Sequence, residues 1–214
     1  MMNIIDFHTH RLDATHALIS VNPEVFKPQP GLYYSVGYHP WLNLEALTDD
    51  DFALLERCAS HPQVLAIGET GMDTLRGSDL AVQREVFVRH LKLAADLHKP
   101  VVVHCVRTAQ HILSARQNEG FSTLPLVVHG MRGNEHVAHT WLVEAECYLS
   151  YGARFNPKAI EVTPLNRLLI ETDEADETIQ EVAAQVANVL HLTAEQVLDL
   201  VAENTHRLLS GQCN

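Results

Sequence analysis

Short, almost continuously apolar stretches alternate along the chain with longer segments in which apolar residues recur at helical spacing. Runs such as Val101-Val102-Val103 and Leu168-Leu169-Ile170 are typical of strands buried on both faces, because a half-exposed strand would alternate apolar and polar residues. The pattern predicts seven strands, at Asn3–Phe7, Tyr33–Gly37, Val64–Gly68, Val101–His104, Leu126–His129, Tyr148–Tyr151 and Leu168–Glu171.

Helices are predicted between these strands. In one of them Val86, Leu91 and Ala94 recur at near-helical spacing, and Lys99-Pro100 ends the segment. Strands that alternate with helices indicate an α/β protein with a parallel sheet, arranged either as a barrel or as a doubly wound layer. The predicted helices are Asp49–Ser60, Asp79–His98, Thr108–Glu119, Glu135–Ala145, Asp176–Leu190 and Thr193–Leu208.

The glycine pattern favours the barrel. No G-x-G-x-x-G follows the first strand and no G-x-x-x-x-G-K-[ST] occurs, so the usual nucleotide-binding loops are missing. No repeat, Gly/Ser linker or charge block divides the 214 residues, which predicts a single domain over 1–214. A (β/α)8 barrel takes about 250 residues and about 200 at its smallest, and only seven strands are predicted, so we expect a TIM-like barrel that is shortened or incomplete, with about seven parallel strands.

Composition narrows the function classes. With 46% apolar and 20% charged residues the chain reads as globular, and a net charge of −12 argues against binding duplex DNA through a broad basic face. It does not exclude a nucleic acid held locally by metal ions. The amino terminus lacks a secretory signal, no apolar run is long enough to span a membrane, and the four cysteines form no C-x-x-C pair. We therefore expect a cytoplasmic protein without membrane contact.

Residue types that bind metal ions stand at the carboxyl ends of five predicted strands. In a parallel barrel these ends open on one face, so residues far apart in the sequence would converge there. His8 and His10 alternate along an extended segment and should point to the same side. A single histidine or acid of this kind is more often structural, but the joint pattern predicts a site for one or two divalent ions, built from His8, His10, Glu69, His104, His129 and Asp173.

The motifs around these residues resemble the TatD family of metal-dependent hydrolases, in the same order and over almost the whole chain. The matching segments are Asp6–His10, Gly37–Pro40, Gly68–Asp73, Lys99–His104, Val127–Gly130, Arg167–Asp173 and the closing Glu203–Leu209. The resemblance implies a distorted barrel with a dinuclear site that hydrolyses phosphodiesters, often as a 3′-to-5′ DNase. DNA is then the expected substrate, and the cofactors are two divalent metal ions, Mg, Mn or Zn.

The resemblance also implies a role for each residue. His8, His10 and Asp173 would hold one ion, His104 and His129 the other, and Glu69 would bridge them. Asp173 and Glu69 are the expected catalytic residues, with Asp173 as the general base for the attacking water. Asp6 and His39 are expected to orient ligands or to contact the substrate.

The chain departs from the family pattern in places that concern the substrate. Only residues 11–36 separate the first two motifs, where fuller members carry another strand and helix. Glu174-Ala175-Asp176 replaces the usual Ala-Pro and aromatic residue. Arg132 stands where a serine is common, and Arg107 follows His104; both are candidates for binding phosphate, although a solvated loop arginine is the ordinary alternative for Arg132.

Two other functions stay open at this point. The same scaffold could cleave another ester or amide, such as the bond in charged tRNA. Alternatively, the chain could be the metal-bearing subunit of a larger complex, with a protein partner covering the shortened side of the barrel. The candidate contacts there are the aromatic residues Phe26, Tyr33, Tyr34 and Trp41, although a buried core position is the commoner fate of such side chains.

Overall fold

The computed structural model describes residues 3–145 and 147–210, so Cys213 lies outside the described residues. The chain divides into two compact units. The first unit combines the segment up to Ile19 with the segment from Val127 onward, and the second unit runs from Ser20 to Leu126. The single domain expected over 1–214 stays a prediction.

Among the described residues, eight strands form the sheet in chain order, and the described pairings are parallel. All seven predicted strands are present, and Ala17–Val21 is an additional one. This strand lies in the stretch where we expected a strand and a helix to be missing, so the expected loss of a strand is wrong. The strands are β1 Asp6–Thr9, β2 Ala17–Val21, β3 Tyr33–Val36, β4 Val64–Asp73, β5 Val101–Val106, β6 Leu126–Val128, β7 Tyr148–Tyr151 and β8 Leu168–Ile170.

The six predicted helices are also present, and Pro157–Val162 adds a short seventh among the described residues. Thr48, Thr178 and Thr193 each begin a helix with a capping box, in which the threonine and the side chain three residues later satisfy exposed backbone N–H groups. The helices are α1 Asp49–Ala59, α2 Leu80–Asp96, α3 Ala109–Asn118, α4 Glu135–Ala145, α5 Pro157–Val162, α6 Ile179–Leu190 and α7 Ala194–Leu209.

Two glycines let β4 run unusually close to β5 in the second unit. A Cβ atom on Gly68 would lie 2.4 Å from the Val102 carbonyl oxygen, and one on Gly71 would lie 2.0 Å from the His104 carbonyl oxygen. Both glycines also have positive φ values, which side-chain-bearing residues rarely adopt. This close approach places Glu69 of β4 beside His104 of β5.

The first unit brings the end of β8 against β1. Thr9 and Asp173 form a parallel bridge, and the Asp173 N–H donates to the His8 carbonyl oxygen at 2.9 Å. The Thr172 N–H and hydroxyl both donate to the Asp6 carboxylate, at 3.0 and 2.7 Å. These bonds hold the backbone of His8 next to that of Asp173. Throughout the described part of the chain, no helix has the length and apolar character needed to cross a bilayer.

Candidate metal centre

In the second unit, His39, Glu69 and His104 bring three ligand atoms to one point. Glu69 Oε1 lies 2.8 Å from His39 Nε2 and 2.8 Å from His104 Nδ1, and the two nitrogens are 3.2 Å apart. Glu69 and His104 are buried on adjacent strands, and His39 follows β3. Imidazole and carboxylate groups are donors that suit zinc or another divalent ion of the first transition row.

The partners of His104 indicate which nitrogen faces this point. Its Nε2 lies 3.4 Å from Asp73 Oδ2, and a carboxylate there favours the tautomer with the proton on Nε2. The Nδ1 lone pair then faces the Glu69 oxygen at 2.8 Å, and two such acceptors this close call for a cation or a proton between them. The residues therefore fit a metal ion, with His104 binding through Nδ1.

His39 has the opposite arrangement. The Trp41 backbone N–H donates to His39 Nδ1 at 3.1 Å, so the neutral ring carries its proton on Nε2. That Nε2–H donates toward Glu69 and is not available as a metal-binding lone pair. This tautomer favours the role expected from the sequence, in which His39 orients a ligand or contacts the substrate.

Asp73 supports the cluster of His39, Glu69 and His104 through its hydrogen bonds. Its Oδ2 accepts the Trp41 indole N–H at 2.6 Å, and its Oδ1 accepts the Leu75 N–H at 2.7 Å. Burial acts to raise the pKa of Asp73, but the hydrogen bonds from Trp41, Leu75 and His104 outweigh it and lower the pKa below its ordinary value. Gln83 of α2 holds the Asp73 backbone by accepting from its N–H and donating to its carbonyl. Sequence reasoning gave Asp73 no role, although it ends a recognised motif.

In the first unit, His8, His129 and Asp173 offer ligand atoms within 4.8 Å of one another. His8 Nε2 and His10 Nε2 both approach Asp173 Oδ1, at 3.8 and 3.7 Å, so the two histidines do point to the same side. Both separations are too long for hydrogen bonds. They suit two ligands of one ion, since bonds of about 2 Å can span up to about 4 Å.

Neighbouring groups hold the loops of this cluster. The Gly130 N–H donates to the buried Glu171 Oε1 at 2.6 Å, and His129 Nδ1 lies 3.4 Å from the same oxygen. Glu171 therefore fixes the chain beside His129, a role that sequence reasoning missed. Burial raises the pKa of Asp6 to about 6, against the hydrogen bonds from Thr172 that lower it. Asp6 thus contacts the residue before Asp173, and its role in orienting a ligand or contacting the substrate stays a prediction.

The two arginines expected to bind phosphate lie at exposed positions. Arg132 is largely exposed, and its Nη2 lies 3.9 Å from Asp173 Oδ2, while Arg107 is exposed directly after β5.

Among the aromatic residues proposed as partner contacts, Tyr34 is buried in the core and Trp41 is 46% exposed. The expected pairing of His104 with His129, and the bridging role of Glu69, join residues of different units and stay predictions.

Curated relatives of the chain include several bacterial hydrolases. It is 26% identical over 206 residues to the uncharacterized metal-dependent hydrolase YabD of Bacillus subtilis, covering 86% of this chain and 80% of that protein. It is 34% identical over 154 residues to the uncharacterized metal-dependent hydrolase TatD of Mycobacterium tuberculosis, covering 66% of this chain and 58% of that protein. It is 33% identical over 153 residues to the 3′-5′ ssDNA/RNA exonuclease TatD of Cronobacter turicensis, covering 67% and 57%. The chain thus spans less than two thirds of the last two relatives.

Solved structures show the same fold. The YJJV TatD homolog from Escherichia coli superposes with a TM-score of 0.80 at 22% identity, covering 97% of this chain and 98% of that one. A hydrolase TatD family protein from Entamoeba histolytica gives 0.76 at 16% identity, covering 96% and 97%. They confirm the expected α/β, TIM-like barrel fold class.

The family assignment rests on a match that is longer than any single motif. Residues 21–210 match the family model described as TatD related DNase. This match covers most of the chain and contains His39, Glu69, His104, His129 and Asp173. The chain therefore belongs to the TatD family of metal-dependent hydrolases.

Proposed function

We propose that this protein is a divalent-metal-dependent phosphodiesterase that releases nucleotides from the 3′ end of single-stranded DNA. The observation that carries the proposal is the pair of histidine and carboxylate clusters, one in each unit, in a chain similar to a protein named as a 3′-5′ ssDNA/RNA exonuclease. His8, His10 and Asp173 would hold one ion, His104 and His129 the other. Sharing of Glu69 between two ions, as the family resemblance implies, remains part of the proposal.

Bound divalent ions would supply Lewis acidity, which lowers the pKa of an attacking water and offsets charge on the phosphoryl oxygens. Asp173 would act as the general base. Its side chain is 25% exposed, so a water can reach the carboxylate, while the backbone bond to His8 fixes its position. Arg132 lies beside Asp173 and would add a positive charge where a phosphate approaches.

The test is the release of nucleotides from 3′-labelled single-stranded DNA by metal-stripped protein to which Mg²⁺, Mn²⁺ or Zn²⁺ is added back. We expect stepwise, metal-dependent release that Asp173→Asn lowers by about 100-fold or more, because general bases contribute on that scale. Asp199→Asn is the matched control, since Asp199 is an exposed carboxylate on α7. A folded, metal-loaded protein that releases no nucleotide would refute the nuclease proposal and turn attention to other esters, including charged tRNA.

A further inference from the structure

One large aromatic side chain stays exposed beside the cluster of His39, Glu69 and His104. Trp41 is 46% exposed, and its ring centroid lies 4.8 Å from that of His39 and 5.3 Å from that of His104. Among the large hydrophobic side chains that the described residues leave exposed, it is the only aromatic one. Leu75 is also exposed, to 61%. The Asp73 carboxylate links the two residues, because it accepts both the Trp41 indole N–H and the Leu75 backbone N–H.

The exposed indole is held in place. Its N–H donates to Asp73 Oδ2 at 2.6 Å, and Asp73 belongs to β4 and is fixed in turn by Gln83. The guanidinium carbon of Arg76 lies 4.6 Å from the centre of the Trp41 ring, a separation typical of a cation–π contact. Folding thus leaves a rigid, apolar ring in water, with a positive charge next to it and a candidate metal site at its edge.

This combination matches the chemistry of a single-stranded nucleotide. An aromatic ring stacks on any nucleobase, since every base has a π face, and the stack needs a base that is not paired in a duplex. A guanidinium adds a stacking surface and a charge that attracts phosphate. In a chain with a net charge of −12, such a local cation matters more than the overall field, which repels a polyanion.

We propose that Trp41 and Arg76 form a stacking subsite for an unpaired nucleobase next to His39 and His104. The inference rests on the proposed function in taking single-stranded nucleic acid as the substrate, and it adds the side chains that would contact an unpaired base. It predicts that binding depends on the base as well as on the phosphates. A duplex end would have to fray before its terminal base could occupy the subsite.

The two tryptophans of the chain make the subsite measurable without turnover. Trp141 is 1% exposed, so a solute that quenches the intrinsic fluorescence reports on Trp41. The probe is a twelve-residue oligothymidylate added to metal-stripped protein with chelator present, and the control probe is an abasic oligomer with the same number of phosphates. We expect saturable quenching by the oligothymidylate and little by the abasic oligomer.

The variants are compared by the anisotropy of end-labelled oligothymidylate, because Trp41 itself is the quenching reporter. Trp41→Ala should weaken binding about 5- to 100-fold, the range found for loss of one stacked base, and Arg76→Gln should also weaken it. Arg154→Gln removes an exposed arginine of the other unit and is the matched control for charge. Circular dichroism and the Trp141 emission show that the Trp41→Ala protein is folded.

The outcomes separate this inference from the proposed function. Equal binding of the two oligomers, or unchanged affinity in Trp41→Ala, overturns the subsite even if DNA is cleaved. Base-dependent binding that Trp41→Ala abolishes supports the subsite even if the 3′-labelled DNA is not cleaved. Where cleavage does occur, Trp41→Ala should raise KM for single strands with a much smaller change in kcat, and a fall in kcat alone would contradict a binding role.

Discussion

His90 makes the stability of the second unit depend on pH. It lies on α2 with no exposed surface, its Nδ1 is 2.7 Å from the Val86 carbonyl oxygen, and its Nε2 accepts the Tyr38 backbone N–H at 3.0 Å. Because Nε2 accepts, the ring is neutral with its proton on Nδ1. Burial lowers the pKa of His90 to about 4, from about 6.5 in an unfolded chain.

The lowered pKa of His90 sets the sign and the magnitude of the change in stability with pH. Above about pH 6.5 His90 is neutral in both states and has no pH-dependent effect. As the pH falls from about 6.5 to about 4, the unfolded chain takes up a proton that the folded protein does not, so stability falls by about 1.4 kcal/mol for each pH unit. The total loss is about 3 kcal/mol, and below about pH 4 it stays constant.

The assay is urea unfolding of metal-stripped wild type and His90→Gln at pH 7 and at pH 4. The difference between the two proteins isolates His90, because groups common to both cancel. One of these is Asp6, whose raised pKa acts in the opposite sense and favours the folded state as the pH falls. We expect the wild-type advantage to shrink by about 3 kcal/mol on going to pH 4.

His136→Gln, at an exposed position of α4, shows what the loss of a histidine does elsewhere. An advantage of wild type over His90→Gln that stays the same at both pH values would refute the assignment of His90 as a buried neutral acceptor. Because Tyr38 precedes His39, we also expect His90→Gln to lower nucleotide release at pH 7 by disturbing the segment that carries His39.

Two further predictions concern β4. Asp73→Asn should weaken Zn²⁺ or Mn²⁺ binding, measured by calorimetry, about 10- to 100-fold, because His104 loses the carboxylate that fixes its tautomer; Asp199→Asn should not change it. Gly71→Ala should lower the free energy of unfolding by about 2 kcal/mol or more in a urea titration, because its Cβ would lie 2.0 Å from the His104 carbonyl oxygen. Gly120→Ala is the control, since Gly120 also has a positive φ but its Cβ would have nothing within 4 Å; it should cost about 1 kcal/mol. Equal costs at the two glycines would contradict the close approach of β4 and β5.

Sequence patterns predicted the strands and helices best where a buried element has a long run or a regular repeat of apolar residues. Each of the seven predicted strands carries an apolar run. Strand β2 was not predicted, although its Ala-Leu-Ile-Ser-Val run is as apolar as the runs of β3 and β7, which also contain a buried serine. Helix α5 has only six residues, too few to show a helical period. The predicted start of α6 at Asp176 is three residues early, because the capping box places the first turn after Thr178.

The ligand types could be predicted because parallel strands deliver their carboxyl ends to one face. The orientation of each imidazole could not, because it depends on which group meets the second ring nitrogen. His39 receives a backbone N–H at Nδ1, whereas His104 presents Nε2 to Asp73, and these partners give the two rings opposite roles. Nothing in the spacing of the motifs distinguishes these cases. His90 was likewise hidden, since a histidine on the buried face of a helix gives no periodic signal of its own.

The shortened segment between the first two motifs shows what the candidate site requires of the fold. Strand β2 is present, and between β2 and β3 the described residues form a 3-10 turn at Pro23–Val25. The strand pairs with β1, which carries His8, and the Val21 carbonyl accepts the Gly37 N–H just before His39. Without β2, the backbone groups beside both histidines would lack partners, at a cost of about 1 to 3 kcal/mol for each buried group. Strand β2 therefore supplies partners for the backbone that carries His8 and for the backbone just before His39.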